Sequence, residues 1–357
     1  MIVNLRCVLC AVVLYLGVNP AFAEWDEEDS FSFDDTPLED VITYPSWFKE
    51  SLLALDDDLQ EALQNDKKGI VVYFGQKRCA YCKKLMDINF HQDDIVEYTR
   101  EHFDVVAIDV WSPEEVSLPD GSTLTERDYA VALETNFTPS LVFYDDDGRV
   151  ALRLRGYYPP YQHRAAIEYV ADGHYKRETF AAYLERGDPT LHFEPGDLIE
   201  DPLFTAPPYH LDRRYGESGL PLLVIFEQGE CHACDVLHTE PMQQALIRKS
   251  LGDFEIVQLD MHADTPVVTP EGEKTSAREW ARELGLFYAP TLIFFDEKGN
   301  EIIRVDSVVQ LVRLSNVLEF VLSKGYLEEP NFLQWVAKTR AAAFGLAAQD
   351  QSQKLAR

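Results

Sequence analysis

The sequence has little cysteine and comparatively few basic residues, and both shortages narrow what the chain can do. Only six of its 357 residues are cysteine, too few for a secreted scaffold held together by many disulfides. Thirty-two Lys and Arg residues against 62 Asp and Glu residues give a net charge of −30, which repels nucleic acid and anionic lipid. We therefore expect no nucleic-acid partner. With 46% hydrophobic residues, the chain can build ordinary cores.

Long hydrophobic runs are also missing beyond the N-terminus. Residues 7–18 are apolar, follow the single cation Arg6 and precede Ala-Phe-Ala at 21–23. This layout is typical of a secretory signal peptide with a small-x-small cleavage site, and the apolar stretch is too short to span a membrane. The sequence predicts a signal peptide over 1–23, export to the periplasm and no stable membrane insertion. Two of the six cysteines lie in this segment and are expected to be removed with it.

The other four cysteines form two Cys-x-x-Cys motifs, Cys79–Cys82 and Cys231–Cys234. Each motif follows an apolar run. A proline follows the first cysteine of each motif, 60 residues later in Thr138-Pro139 and 59 residues later in Ala289-Pro290. Further identities recur at an offset of about 151, among them Asp109 with Asp260, Pro119 with Pro270, Gly121 with Gly272 and Gly148 with Gly299. So many matches at one offset indicate a duplicated domain.

Both halves contain the same predicted order of elements. Ile70–Phe74 and Leu222–Phe226 are apolar runs bounded by polar residues, which predicts buried strands. A helix then begins at each Cys-x-x-Cys, followed by a strand, a helix, a pair of strands joined by a tight turn, and a final helix near Gln162–Leu184 or Leu311–Lys324. This order predicts an α/β fold with a central mixed sheet flanked by helices in each half. An extra helix is expected over Asn331–Phe344.

Composition sets the expected domain boundaries. Residues 24–44 are strongly acidic and are predicted to form a disordered leader. Residues 186–218 are rich in proline and are predicted to be a linker. We place the two domains at 45–185 and 219–326, with a C-terminal helix and tail over 327–357.

Each half resembles a thioredoxin-fold domain, over about residues 45–185 and 219–325. The loop inserted after the second strand is similar to that of periplasmic thioredoxin-like proteins of the SoxW type. The resemblance implies two tandem thioredoxin-like domains whose paired cysteines exchange disulfides with protein thiols. It also implies cis peptide bonds before Pro139 and Pro290. We expect no cofactor and no metal site. The implied site residues are Cys79, Cys82, Thr138 and Pro139 in the first half, and Cys231, Cys234, Ala289 and Pro290 in the second.

The position of each cysteine predicts its role in exchange. A cysteine at the first turn of a helix faces unpaired backbone N–H groups and the positive end of the helix dipole, which stabilise a thiolate. Cys79 and Cys231 are therefore expected to attack partner disulfides, and Cys82 and Cys234 to resolve the mixed disulfide. If the family geometry holds, the residues before the prolines, Thr138 and Ala289, pair with the partner chain.

Opposite charges flank the two motifs. The cations near the first motif are Lys77, Arg78, Lys83 and Lys84, and the anions near the second are Glu227, Glu230 and Asp235. Because nearby positive charge favours the thiolate and hence the reduced form, we expect the first centre to be the more oxidising. A protonated His232 would favour the thiolate at the second centre and so oppose this difference. Electrons would then flow from the second centre to the first in an internal relay, unless the two domains act independently.

Some residues depart from the thioredoxin pattern. Arg78 and Glu230 stand where thioredoxins carry Trp, and Tyr73 and Ile225 stand where they carry a buried Asp. Tyr81 before Cys82, together with Thr138, resembles disulfide isomerases and reductases, which favours reduction or reshuffling. A glycine near the site, Gly156, has Ser307 as its counterpart.

Other functions stay open at this point. Cys-x-x-Cys pairs also bind zinc, and two thiolates with His232 could carry copper(I). A thioredoxin scaffold can also be a binding module without turnover. We expect an exported thiol–disulfide oxidoreductase of the reductase or isomerase type, acting on protein thiols and disulfides. A membrane-bound or periplasmic electron donor is a candidate partner.

Overall fold

The computed structural model describes residues 30–187, 196–215 and 219–342. The strands of the first half are β1 (Gly69–Gly75), β2 (Phe103–Asp109), β3 (Glu115–Ser117), β4 (Thr123–Thr125), β5 (Ser140–Tyr144) and β6 (Val150–Arg155). The first half has a sheet with the order β2-β1-β5-β6, in which β1 and β2 are parallel and the other neighbours antiparallel. Its helices are α1 (Leu55–Gln64), α2 (Ala80–Asp87), α3 (Asp93–His102), α4 (Glu126–Ala132), α5 (Pro160–Ala171) and α6 (Phe180–Gly187).

The strands of the second half are β7 (Tyr209–His210), β8 (Leu222–Glu227), β9 (Glu255–Asp260), β10 (Pro266–Val268), β11 (Lys274–Ser276), β12 (Thr291–Phe295) and β13 (Glu301–Val305). The second half repeats the sheet of the first in the order β13-β12-β8-β9, again with one parallel pair. Its helices are α7 (His232–Thr239), α8 (Ala245–Leu251), α9 (Ala277–Glu283) and α10 (Leu311–Leu322), followed by helical residues 332–342. The predicted pair of α/β domains with central mixed sheets is confirmed.

Local sequence explains these elements. Every residue of β1 and β8 is buried, as continuous apolar runs predict for central strands covered on both faces. Thr125 and Ser276 cap α4 and α9, and each side-chain oxygen accepts a backbone N–H in the first turn.

The helix predicted over Gln162–Leu184 is two helices, α5 and α6. Gly173, with φ of 72°, follows α5 in the left-handed region that ends helices. Helical residues 332–342 follow α10 as α6 follows α5, so they complete the second domain. The predicted boundary at 326 is therefore too early, and residues 343–344 of the predicted helix lie outside the described residues.

The predicted linker is in part a piece of the second domain. The β7 strand pairs in parallel with β10, and Thr205 donates its N–H to the Ile256 carbonyl at 2.8 Å. These contacts hold residues 204–211 against the domain that follows. Residues 188–195 and 216–218 lie outside the described residues.

The predicted leader, 24–44, is not a loose spacer where the structure describes it. Residues 30–44 pack between the domains. Leu38 and Ile42 donate backbone N–H groups to Arg78 and Lys77 of the first domain, and Ser32 donates to Glu240 of the second. The predicted signal peptide and residues 24–29 lie outside the described residues. Within the part of the chain that is described, none of the helices is both long and apolar enough to cross a bilayer.

The domains contact each other through matching positions. Phe137 of the first domain packs in the core of the second, and its counterpart Tyr288 packs in the core of the first. Gly156 lies so close to its counterpart Ser307 that a Cβ atom there would collide with the Ser307 side chain. Val308 then donates its N–H to the Tyr157 carbonyl at 3.1 Å. The domains are thus related by an approximate twofold axis through this interface.

Candidate active sites

Each Cys-x-x-Cys pair lies at the start of a helix, as predicted. Cys79 is the N-cap of α2, and its Sγ accepts the Cys82 backbone N–H at 3.0 Å. Cys231 is the N-cap of α7, and its Sγ accepts the Cys234 N–H at 3.1 Å. Both pairs are disulfides, with Cα–Cα distances of 5.1 and 5.2 Å. When the disulfide is reduced, the same N–H groups stabilise a thiolate on the first cysteine.

The two prolines lie beside the sulfurs. The peptide bonds before Pro139 and Pro290 are cis. Cys79 Sγ is 3.6 Å from the Thr138 carbonyl oxygen and 3.4 Å from its hydroxyl oxygen. Cys231 Sγ is 3.7 Å from the carbonyl oxygen of Ala289. The eight predicted site residues therefore form two sets of four, one in each domain.

A polar chain supports Thr138 in the first site. Trp111 donates its indole N–H to Gln76 at 2.8 Å, and Gln76 donates its amide N–H to the Thr138 hydroxyl oxygen at 2.9 Å. In the second site the counterparts are His262 and Gln228, whose side chains are 3.3 Å apart. Burial lowers the pKa of His262, while Asp260 raises it to a smaller extent. Gln76 and Gln228 recur in both repeats, and that recurrence could have marked them as site residues.

Tyr81 connects the first site to the second domain and to residues 30–44. Its hydroxyl donates to Asp35 at 2.9 Å and accepts the backbone N–H of Gln310 at 2.8 Å. Phe33 packs edge-on against the Tyr81 ring at 5.0 Å. Burial raises the pKa of Tyr81 well above its ordinary value, so the hydroxyl stays protonated. Tyr81, part of the motif that resembles disulfide isomerases, therefore lies in a contact between the two domains.

Arg313, at the start of α10, reaches into the first site. Its guanidinium lies 3.4 Å from the centre of the Tyr81 ring and donates to the Thr138 carbonyl at 3.0 Å. A second N–H donates to the Val308 carbonyl at 3.1 Å. Asp35 accepts the backbone N–H groups of Val312 and Arg313, both at 2.8 Å, and so caps α10. Neither Arg313 nor Asp35 lies near a cysteine in the chain, so no local sequence pattern marks them as site residues.

Each site opens into a cleft that includes residues of the other domain. The cleft beside Cys79 has a volume of about 320 Å³. Its lining includes Arg313 and five residues of the C-terminal helical segment, Phe332, Leu333, Val336, Ala337 and Arg340. The cleft beside Ala289 is about 120 Å³ and is lined by Gln162 of α5. Cys79 is 5% exposed and Cys231 is 7% exposed. A partner chain therefore has to approach through these clefts.

The second domain buries a polar cluster that the first lacks. His238 on α7 is 2.7 Å from Glu227, and Gln258 donates to the same carboxylate at 2.6 Å. His238 and Glu227 are almost fully buried. Gly75, Met86 and Ala107 occupy the matching positions in the first domain.

Two of the four cations that flank the first motif form ion pairs away from the sulfurs. Lys77 lies 3.7 Å from Asp109, and Lys83 lies 2.6 Å from Asp87. Both lysines are mostly exposed, so solvent screens their charge further. Arg313, from the other domain, donates to the Thr138 carbonyl oxygen that lies beside Cys79 Sγ. Across the described ranges, no three His, Cys, Asp or Glu side chains are arranged to hold a metal ion.

Residues 55–171 and 211–322 each match the sequence profile of the thioredoxin-like domain. The chain belongs to the thioredoxin-like domain family. With a Cys-x-x-Cys disulfide at the start of a helix in each domain, it has the arrangement of a thiol–disulfide oxidoreductase. No curated protein matches the sequence.

Solved structures of single-domain size resemble one half of this thioredoxin-like protein. A thioredoxin-fold protein from Helicobacter pylori is 23% identical, covers 34% of this chain and 84% of its own, and has a TM-score of 0.31. A thioredoxin from Thermus thermophilus is 18% identical, with 39% and 93% covered and a TM-score of 0.28. A disulphide isomerase from Xylella fastidiosa Temecula1 is 15% identical, with 41% and 100% covered and a TM-score of 0.24. At these identities the likeness concerns the fold alone.

Proposed function

We propose that this protein is an exported thiol–disulfide oxidoreductase of the reductase or isomerase type that acts on protein thiols and disulfides. The observation that carries the proposal is the position of Cys79 and Cys231 as helix N-caps, where each sulfur accepts a backbone N–H. That geometry favours a thiolate, which is the nucleophile in disulfide exchange.

The reaction at the first centre has two steps. In the reduced protein, the Cys79 thiolate attacks one sulfur of a partner disulfide, and the partner's other sulfur leaves as a thiolate. The Cys82 thiolate then attacks the Cys79 sulfur and releases the partner's second thiolate. Two electrons pass from the protein dithiol to the partner, and the protein disulfide forms. Cys231 and Cys234 perform the same steps at the second centre.

The preference for reduction or reshuffling is supported by Tyr81 and Thr138, which resemble the isomerase and reductase pattern. The first centre is proposed to be the more oxidising, so that electrons entering at the second pass to the first. A membrane-bound or periplasmic donor would reduce the second centre. Export to the periplasm is supported by the apolar segment 7–18 and the small residues at 21–23.

A glutathione redox titration of two variants tests the proposal. One variant carries Cys79→Ser with Cys82→Ser, and the other carries Cys231→Ser with Cys234→Ser. We expect each remaining pair to cycle reversibly and the two potentials to differ by more than about 30 mV, with the first centre higher. If a cysteine pair cannot be oxidised and reduced reversibly, its domain would be a binding module instead of a redox centre.

Export is tested separately. We expect the full-length chain, expressed in a bacterium with two membranes, to be recovered from the periplasmic fraction with an N-terminus near Glu24. Recovery of the uncleaved chain from the cytoplasm would contradict the assigned location and leave the redox chemistry untouched.

A further inference from the structure

We infer that Arg313 of the second domain is a positioning residue for the first redox centre, where its charge favours the thiolate form of Cys79. The inference rests on the proposed exchange activity. It means that the chemistry of one centre depends on a side chain that the other domain supplies.

The geometry places the guanidinium one contact away from the sulfur. An Arg313 N–H donates to the Thr138 carbonyl oxygen at 3.0 Å, and the same oxygen is 3.6 Å from Cys79 Sγ. The guanidinium plane also lies over Tyr81, the residue before Cys82. A cation so close to a thiol favours its ionised form by direct attraction.

The Arg313 charge is buried and not neutralised by an ion pair in the described part of the chain. Its N–H groups donate to the carbonyl oxygens of Thr138 and Val308, which carry only partial charge. The nearest carboxylate, Asp35, accepts two backbone N–H groups of α10 and the Tyr81 hydroxyl. Burial lowers the pKa of Arg313, but an arginine stays protonated at neutral pH. Water screens a buried charge of this kind poorly.

The twofold relation between the domains supplies an internal comparison. The counterpart of Arg313 is Gln162 of α5, which lines the cleft beside Ala289 and Gln228 of the second site. A neutral amide therefore stands at the position that matches Arg313. The arginines that also line this cleft are engaged elsewhere, since Arg278 donates to the His262 carbonyl and Arg282 pairs with Glu185 and Glu279. The approximate symmetry is preserved in the backbone and in the pair Phe137 and Tyr288, and it is broken at this charged position.

The first experiment uses the Cys231→Ser, Cys234→Ser protein as its parent, so that only the first centre titrates. Arg313→Gln copies the second domain, and Arg313→Lys keeps the charge without the planar group. The pKa of the Cys79 thiol is followed by thiolate absorbance in the reduced protein, and the disulfide equilibrium is measured in glutathione buffers. We expect Arg313→Gln to raise the thiol pKa by about one unit and to shift the equilibrium about tenfold, or about 30 mV, toward the disulfide.

Arg313→Lys is expected to keep the thiol pKa and the disulfide equilibrium close to those of the parent. An unchanged thiol pKa in a folded Arg313→Gln protein would overturn the inference. So would a lysine variant that behaves like the glutamine variant. A parent that does not cycle at all would instead contradict the proposed function, so the two failures are distinguishable.

A gain-of-charge variant decides the matter if Arg313→Gln does not fold, as judged by near-UV circular dichroism. Gln162→Arg is made in the Cys79→Ser, Cys82→Ser protein, where only the second centre titrates. We expect the pKa of the Cys231 thiol to fall and the equilibrium to move toward the dithiol. A rise in that pKa would overturn the inference.

Discussion

The two domains share one fold and differ in what surrounds the sulfur. Cys79 lies close to a buried arginine contributed by the partner domain, under residues 30–44, and beside Thr138 with its polar support. In the second site a neutral glutamine, Gln162, lines the cleft beside Ala289 at the matching place, and the second domain buries Glu227 with His238. Both domains therefore build the same thiolate-stabilising helix start, and neighbouring segments set the difference between them. A duplicated redox domain can acquire a new environment through its contacts while its own motif stays the same.

The largest expected effect separates the roles of the two centres. Cys79→Ser removes the attacking sulfur of the first centre. If that centre meets the substrate, we expect the rate of insulin disulfide reduction to fall by about a thousandfold or more. Cys231→Ser should have a smaller effect when dithiothreitol reduces the first centre directly. Turbidity of reduced insulin is the measurement. As a control, Cys82→Ser should accumulate a mixed disulfide visible by mass spectrometry. Full activity in Cys79→Ser would reverse the assignment of the centres.

The second prediction tests the exchange of aromatic side chains between the cores. Phe137→Ala changes a residue of the first domain but leaves a cavity in the second, at a cost of about 3–5 kcal/mol. We expect hydrogen exchange of α10 to accelerate more than that of α5. Tyr288→Phe is the matched control, because the Tyr288 hydroxyl has no hydrogen-bond partner in the described part of the structure. Slower or equal exchange in α10 would contradict a shared core.

A third prediction concerns acid sensitivity. Burial lowers the pKa of His163 to about 3, whereas its counterpart in the second domain is Leu314. Below about pH 6.5 the unfolded chain binds a proton at this histidine that the folded domain does not bind. The free energy of unfolding therefore decreases as the pH is lowered, by about 1.4 kcal/mol per pH unit and by about 2 kcal/mol in total at pH 5. His163→Leu should remove this slope. Urea unfolding at pH 5 and pH 7 measures it, and an equal slope in both proteins would refute the assignment.

The smallest expected effect concerns the cover over the first centre. Asp35→Asn removes the charged cap of α10 and weakens the hydrogen bond with Tyr81. We expect the contact of residues 30–44 with the first centre to lose about 1 kcal/mol of stability, so that this segment opens about fivefold more often. Alkylation of reduced Cys79 should accelerate by that factor, while alkylation of Cys231 serves as the internal reference. Equal acceleration at both cysteines would indicate general loosening rather than release of this cover.

Sequence alone identified the parts of the site that are local. A cysteine at a helix start and a proline at a fixed spacing lie within one repeat, and duplication displayed each pattern twice. Arg313 and Asp35 could not be found in this way, because the contacts that define them span 175 residues to Thr138 and 277 residues to Val312. The linker and leader were misjudged for a related reason. Their composition is typical of solvent-exposed segments. The elements that they contact, β10 for the linker and α10 for the leader, come together with them only in the folded protein.

The contact of Gly156 with Ser307 has a consequence for the history of the molecule. Equivalent positions that meet across a twofold axis form an isologous interface, the kind that joins two identical subunits. In a homodimer each substitution appears at both sites, so one site could not hold an arginine while the other held a glutamine. Joining the copies in one chain removes that constraint. Having both copies in one chain therefore allows this protein to hold two related redox centres with separate chemical settings.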